Sequence, residues 1–274
     1  LRKWLTNEKT LQRFFDRGEG HDQVIGDDTT FAKSHVNGQS ISNHHKVLGI
    51  EWDVDTDEFL FNFNDLIKKS EEGNLTKRKV LSLSASLYDP IGMISPITAQ
   101  IKTLFQRLCI DKSGWDDTIS DDIQNRWNSL VEKIKILGIV KIPRVAFVGW
   151  NEALLVEIHG FSDSSFILYC GVVYVRVRYR GGVKVFFWTS KTKVAPLQDI
   201  SIPRLELLGC LLLSRLIKDV DRSLANRIKI DRVVCWTDST VALCWIKGKE
   251  KTWKPWVENR VVKVRNVVPQ QAWF

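Results

Sequence analysis

The sequence lacks paired cysteines, long apolar segments and an initiating methionine. None of its five cysteines forms a C-x-x-C pair, which argues against a disulfide framework or a cysteine zinc site and favours a reducing compartment. No stretch approaches the roughly 20 apolar residues of a membrane span, and nothing at the N-terminus resembles a signal peptide. We therefore predict an intracellular protein without a membrane partner. Because the chain opens at Leu1, we expect a piece of a longer polypeptide.

Acidic residues are also fewer than basic ones. The 274 residues include 40 Lys and Arg against 32 Asp and Glu, which gives a net charge of +8. That excess favours a polyanionic partner such as nucleic acid. A hydrophobic content of 44% and a charged content of 26% are typical of a globular protein with one large domain or two ordinary ones.

Hydrophobic periodicity divides the chain into three parts, 1–63, 64–150 and 151–274. The first part contains a Gly- and Asp-rich loop followed by two strand-like runs at 44–52 and 57–63. These runs predict two strands joined by an acidic turn.

The second part is helical and the third is mixed. Apolar residues recur at three- and four-residue steps in the second part, where Thr76 is the predicted N-cap of one helix and another is predicted to begin at Ser120. A linker is predicted at 142–144. The third part has the pattern of three strands, a helix, a strand and two short helices. This order predicts an α/β fold, a mixed sheet with flanking helices.

Three acidic residues of the third part occupy positions where packing does not explain a carboxylate. Asp163 and Asp238 end apolar strand-like runs, and Glu206 interrupts the most apolar helix. Buried carboxylates are unfavourable unless they are paired or bind a metal. Converging oxygen ligands select hard cations, and phosphodiester hydrolysis by two metal ions requires them. We therefore predict that the three residues bind Mg²⁺ or Mn²⁺.

Each carboxylate also has a simpler explanation. Asp238 could cap a helix, and Asp163 could be a turn residue. Glu206 could pair with Arg204 or Arg215 on a helix surface. A single metal site explains all three residues together.

Several motifs resemble those of Bel/Pao-type retrotransposon polyproteins, in the same order along the chain. In the third part they are FSDSS at 161–165, SKTKVAPL at 190–197, IPRLEL at 202–207 and WTDS at 236–239. Upstream they are LRKW at 1–4 with Asn7, LGIEW at 48–52, TKR at 76–78, YDPIG at 88–92 and GWD at 114–116. The similarity covers essentially the whole chain.

This resemblance implies the C-terminal part of a reverse transcriptase. Residues 1–63 would be the end of the α+β palm, 64–150 the helical thumb and connection, and 151–274 an RNase H-like domain truncated at its C-terminus. The implied activity is metal-dependent hydrolysis of RNA in RNA–DNA hybrids, with Asp163, Glu206 and Asp238 as catalytic metal ligands. The implied partners are the hybrid, an upstream polymerase palm and protease, and a downstream integrase.

The resemblance also implies a fourth catalytic acid. The family carries a fourth Asp in an Asn-Pro-Ala-Asp stretch, and the chain has no match to it before Phe274. We therefore expect an incomplete catalytic set. A catalytically silent nucleic-acid-binding fragment is the alternative function.

Two other acid-based activities fit the sequence poorly. Integrases and related transposases are known for the order Asp, Asp, Glu, whereas here the order is Asp, Glu, Asp. This region of Pao-type elements is sometimes named a peptidase. Aspartic peptidases use Asp-Thr-Gly or Asp-Ser-Gly, and neither 163–165 nor 238–240 contains the glycine.

Gly26-Asp27-Asp28 resembles the paired aspartates of a polymerase, but the polar residues after it predict a solvated turn.

A basic run with interleaved tryptophans follows Asp238. The residues predicted to contact the phosphates of a hybrid duplex are Lys247, Lys249, Lys251, Lys254 and Arg260. The alternative is a solvated helix face whose tryptophans pack inward.

Overall fold

The computed structural model describes residues 44–47, 49–144, 152–225, 227–248 and 252–274. The predictions for the LRKW motif and for Gly26-Asp27-Asp28 lie outside these residues. The chain forms two compact units. The first contains the described residues up to Asn62 and those from Ile139 to Arg144, and the second contains the rest. None of the described helices is long and apolar enough to cross a membrane.

The first unit contains a four-stranded antiparallel sheet in the order β1-β2-β3-β4. The strands are His44–Val47 (β1), Ile50–Asp53 (β2), Glu58–Asn62 (β3) and Ile139–Pro143 (β4).

Two expectations for this unit are wrong. The run at 44–52 is a hairpin and not one strand, because Gly49 has a φ of 88° and turns the chain between β1 and β2. The predicted linker at 142–144 lies largely in β4, where Ile142 pairs with Phe59. The Arg144 guanidinium also donates to Asp57 at 2.5 Å. Apolar and polar residues alternate over only the five residues of β4, and this pattern is too short to distinguish a strand from a linker. The assignment of this sheet to a palm stays a prediction.

The second unit begins with four helices. They are Asn64–Glu71 (α1), Lys77–Ser86 (α2), Ser95–Ile110 (α3) and Asp121–Leu137 (α4). The predicted N-cap is confirmed: Thr76 precedes α2 and its hydroxyl accepts the Lys79 N–H at 3.2 Å. The helix predicted to begin at Ser120 begins one residue later, as α4.

The same unit contains a mixed sheet in the order β7-β6-β5-β8. Its strands are Leu155–Ser164 (β5), Leu168–Tyr179 (β6), Gly182–Val194 (β7) and Arg232–Thr237 (β8). The first three are antiparallel, and β8 runs parallel to β5. The helices are Ile202–Leu224 (α5), Thr240–Lys247 (α6) and Pro255–Arg265 (α7). The predicted α/β architecture is confirmed.

The long helix α5 packs closely on β5 and β6. Its buried side chains, such as Leu213 and Ile217, meet Ile158 of β5 in the main hydrophobic core. A Cβ atom on Gly160 would lie 2.7 Å from the Leu213 Cδ1 atom, and one on Gly209 would lie 2.9 Å from the Ser164 Oγ atom. Glycine at both positions therefore lets the helix approach the sheet at the end of β5.

The YDPIG loop between α2 and α3 contacts β7. The Asp89 carboxylate accepts the backbone N–H of Ile94 at 2.9 Å. Ser190 donates its N–H to the Ile91 carbonyl at 2.9 Å and its hydroxyl to the Gly92 carbonyl at 2.7 Å. Gly92 has a φ of 80°, and a Cβ atom there would lie 2.1 Å from the Ser190 carbonyl oxygen. This loop therefore attaches the helices to the edge of the sheet.

Gly92→Ala is expected to lower the free energy of unfolding by about 3 kcal/mol or more, because a steric clash adds to the backbone cost of about 1–2 kcal/mol. Gly73→Ala is the matched control: Gly73 has a φ of 61° but no atom within 4 Å of an added Cβ, so only the backbone cost applies. Urea unfolding followed by tryptophan fluorescence measures both. Equal losses in the two variants would contradict the close contact between loop and strand.

Candidate metal centre

Two of the three predicted carboxylates lie at the ends of neighbouring parallel strands. Ser162 of β5 pairs with Thr237 of β8, so Asp163 and Asp238 are the next residues on adjacent strands. Because the carboxyl ends of parallel strands lie at the same edge of a sheet, both side chains emerge at one edge. Both residues are exposed.

The third carboxylate comes from α5. Glu206 lies near the start of the helix and is 5% exposed. The Ser164 hydroxyl donates to the Leu205 carbonyl at 3.0 Å, which ties the start of the helix to the end of β5. The structure brings the three predicted residues together: one carboxylate oxygen each from Asp163, Glu206 and Asp238 lies within 4.8 Å of the others.

The arrangement is electrostatically unfavourable without a cation. Burial raises the pKa of Glu206 to about 7, and the neighbouring charges of Asp238 and Asp163 add to the rise. Its Oε2 atom is buried and has no hydrogen-bond partner among the described residues. A buried acceptor without a partner is costly. The atom is therefore suited to coordinate a ligand.

The simpler explanations of the three acids do not account for the structure. The N-cap of α6 is Ser239, whose hydroxyl accepts the Ala242 N–H at 3.2 Å, so Asp238 is not needed as a cap. Asp163 lies in β5 and not in a turn. Glu206 is buried, so it is not part of a surface ion pair with an arginine. A shared metal site therefore stays the prediction for all three residues.

The donor set fits a hard divalent cation. All three side chains offer carboxylate oxygens, which Mg²⁺ and Mn²⁺ prefer over softer ligands. The Ser164 N–H donates to the Asp163 Oδ1 atom at 2.7 Å, and this hydrogen bond fixes the orientation of that carboxylate. Ligands held on a strand and a packed helix are rigid, as metal sites require.

Other residues at the site were not singled out from the sequence. Cys170 pairs with Asp163 across β6 and β5, and its thiol donates to the Asp163 carbonyl at 3.5 Å. Burial raises the pKa of the Cys170 thiol. The rings of Phe161 and Trp236 stack with centroids 6.3 Å apart and are 41% and 40% exposed. Both lie beside the acids in the FSDSS and WTDS motifs, which is the signal that could have indicated them.

The predicted phosphate-binding residues lie around α6 and α7. Lys247 ends α6, with its Nζ atom 5.0 Å from the centre of the Phe274 ring. Lys254 is the residue before α7, and the Arg260 guanidinium on α7 lies 3.6 Å from the centre of the Trp256 ring. Lys249 and Lys251 lie outside the described residues. Contact of this set with phosphates stays a prediction.

A mixed sheet of this order, with flanking helices and three carboxylates meeting at its edge, defines an RNase H-like domain. A family model described as the Pao retrotransposon-like RNaseH-like domain matches residues 76–239, which is more than half of the chain. The chain belongs to this family, as its motifs predicted. A search of curated protein sequences found no significant match.

Solved structures of RNases H and a reverse transcriptase show low similarity. RNase H1 from the halophilic archaeon Halobacterium salinarum NRC-1 is 13% identical with a TM-score of 0.28, over 43% of this chain and 80% of that one. LC11-RNase H1 in complex with an RNA/DNA hybrid is 12% identical with a TM-score of 0.27, over 41% and 75%. The foamy viral protease-reverse transcriptase in complex with double-stranded DNA is 13% identical with a TM-score of 0.44, over 84% of this chain but only 37% of its own.

The raised pKa of Glu206 predicts a pH-dependent loss of stability in metal-free buffer. Between the usual value of 4.5 and about 7, the folded state binds more protons than the unfolded state. Stability therefore falls as pH rises through this window and stays low above it. Glu206→Gln is expected to remove this fall and to be more stable than the parent at pH 8 by about 1–3 kcal/mol.

Urea unfolding in EDTA from pH 5.5 to 8.5 tests this expectation. Glu72→Gln, at an exposed position, is the control and should follow the parent at every pH. A Glu206→Gln variant that loses stability with pH as the parent does would contradict the burial of an ionised carboxylate.

Proposed function

We propose that the chain is an RNase H-type nuclease domain that hydrolyses the RNA strand of RNA–DNA hybrids with Mg²⁺, or Mn²⁺ in its place. One observation carries this proposal: carboxylate oxygens of Asp163, Glu206 and Asp238 lie within 4.8 Å of one another. The buried oxygen of Glu206 without a hydrogen-bond partner supports it. Membership of an RNaseH-like family gives the reaction class.

The three residues would act as metal ligands, and each is held in place by a different part of the fold. Asp163, exposed on β5, would hold the metal together with both other acids. Glu206 is held by the packed helix α5, and Asp238, the residue that follows β8, would complete the set of ligands. A bound metal ion supplies an activated water and neutralises charge that develops on the phosphate. The protein contributes the rigid placement of the ligands, since only a preorganised site stabilises the transition state without rearrangement.

The proposal includes a setting for the domain. The chain would be part of a pol polyprotein, with a polymerase palm and a protease upstream and an integrase downstream. The sheet of the first unit would be the end of that palm, and 64–150 its thumb and connection. An intracellular location follows from this setting, because the hybrid substrate would form where reverse transcription takes place.

A second candidate is a nucleic-acid-binding fragment without hydrolytic activity. The basic and aromatic residues of α6 and α7 favour this second candidate, because nucleic-acid binding by these residues would not require the three acids. In this case the affinity for a hybrid falls steeply with salt but does not change when Asp163 is replaced.

Cleavage of a labelled RNA–DNA hybrid with Mg²⁺ separates the two candidates. Within its longer polyprotein, which would supply the fourth Asp that the resemblance implies, the domain is expected to cleave the RNA strand, and Asp163→Asn is expected to lower the rate by about 10²–10⁴-fold, because a ligand of the catalytic ion is lost. Asp199→Asn makes the same chemical change at an exposed position and should cleave as the parent does. Equal cleavage by the parent and Asp163→Asn, or none by either, would contradict the proposed hydrolysis and favour the binding function.

A further inference from the structure

A short turn joins β5 to β6 and begins two residues after Asp163. Ser165 closes this turn: its N–H donates to the Leu168 carbonyl at 2.7 Å, and its hydroxyl accepts the N–H groups of Ile167 and Leu168 at 3.2 and 3.1 Å. The turn is therefore a compact unit that moves together with the end of β5. A displacement of the turn reaches the Asp163 carboxylate within two residues.

Hydrophobic packing does not hold the tip of the turn. Phe166 and Ile167 are 73% and 53% exposed. Apolar side chains that stay in water gain little of the free energy that burial provides. The position of the turn therefore depends on hydrogen bonds with the neighbouring segments.

Ala195, the residue after β7, connects the turn to helix α3. Its N–H donates to the Ile167 carbonyl at 2.7 Å. Its carbonyl accepts the side-chain Nε2 atom of Gln106 on α3 at 2.6 Å. Ala195 is only 5% exposed, and a buried backbone carbonyl requires a hydrogen-bond partner. Gln106 supplies that partner from a segment 89 residues away.

Helix α3 is attached to β7 at a second point as well. The hydroxyl oxygens of Ser95, at the start of α3, and Ser190, in β7, lie 3.0 Å apart. Gln106 follows Ser95 by eleven residues, which is about 16 Å along a helix. The helix therefore contacts both the middle of β7 and the segment that follows its end. A helix fixed at two points is a rigid support for the turn.

We propose that Gln106 is a positioning residue of the metal site. Through Ala195 its amide holds the turn between β5 and β6, and thereby keeps the Asp163 carboxylate where it meets Glu206 and Asp238. This inference rests on the proposed function for the metal and deepens it, because it assigns a role to a residue of the helical part. Groups that orient metal ligands affect the affinity for the ion without touching it.

Calorimetric titration of the full chain with Mn²⁺ tests the role of Gln106. Gln106→Leu removes the donor at similar size and is expected to raise the Kd about threefold to tenfold, because the strand end must be ordered again when the ion binds. Gln106→Lys restores an N–H donor and should bring the Kd back towards that of the parent. Loss of binding in Asp163→Asn shows that the titration measures the site of the three carboxylates.

Gln124→Leu is the matched control. It is the same change on α4, where the Gln124 amide donates to Asn128 of the same helix at 2.9 Å, and it should leave the Kd unchanged. A substitution that only lowered the free energy of unfolding would also leave the Kd unchanged, because nearly all molecules stay folded. The affinity for Mn²⁺ therefore separates a positioning role from a merely structural one.

Hydrogen exchange in EDTA gives a second measurement that does not require the metal. The backbone N–H groups of Ser165 and Ala195, which form the hydrogen bonds of the turn, should exchange faster in Gln106→Leu than in the parent and in Gln124→Leu. If Gln106→Leu does not fold, Gln106→Ala decides by the same two measurements, since it removes the donor and adds no apolar bulk.

The outcome separates this inference from the proposed function. Parent-like Mn²⁺ affinity and exchange in Gln106→Leu would overturn the positioning role, whatever the result of the cleavage assay. Weaker binding that Gln106→Lys restores, together with no cleavage of the hybrid, would support the positioning role and contradict only the hydrolysis. A parent chain that binds no Mn²⁺ would overturn both.

Discussion

The candidate site depends on the close packing of α5 against the end of β5. Because residues 160 and 209 are glycines, no Cβ atom at either position separates the helix from the sheet. The hydrogen bond from the Ser164 hydroxyl to the Leu205 carbonyl fixes the start of the helix at the end of β5. This contact places Glu206, which follows Leu205 directly, beside the ends of two parallel strands. A helix held further from the sheet would move Glu206 away from the two carboxylates at the strand ends.

Negatively and positively charged side chains lie on different sides of the first turns of α5. Three carboxylates lie on the side that faces the strand ends, and Arg204 and Arg260, which stack on Trp256, lie on the side that faces α7. Each group is unfavourable alone, because like charges are gathered with unpaired buried atoms.

Sequence patterns predicted the strands, the three acids and the helices other than α1 of the second unit, because each depends on local periodicity or on a short motif. The order of the motifs also predicted the family. The patterns could not predict β4, since its five residues acquire strand character by pairing with β3, about eighty positions away. They could not predict the contact between Gly92 and Ser190 or the stacking of Arg204 and Arg260 on Trp256, because these contacts join segments that are distant in sequence. Arg204 was considered only as a surface partner for Glu206, which the burial of that residue excludes.

We infer that Asp163, Glu206 and Asp238 together coordinate a divalent cation. Anomalous diffraction from crystals of the chain soaked in Mn²⁺ tests it most directly, because the method locates the ion and its ligands. We predict an anomalous peak at about 2.0–2.3 Å from a carboxylate oxygen of each residue, and its loss in Asp163→Asn. Manganese bound elsewhere only, or bound without Glu206, would contradict it.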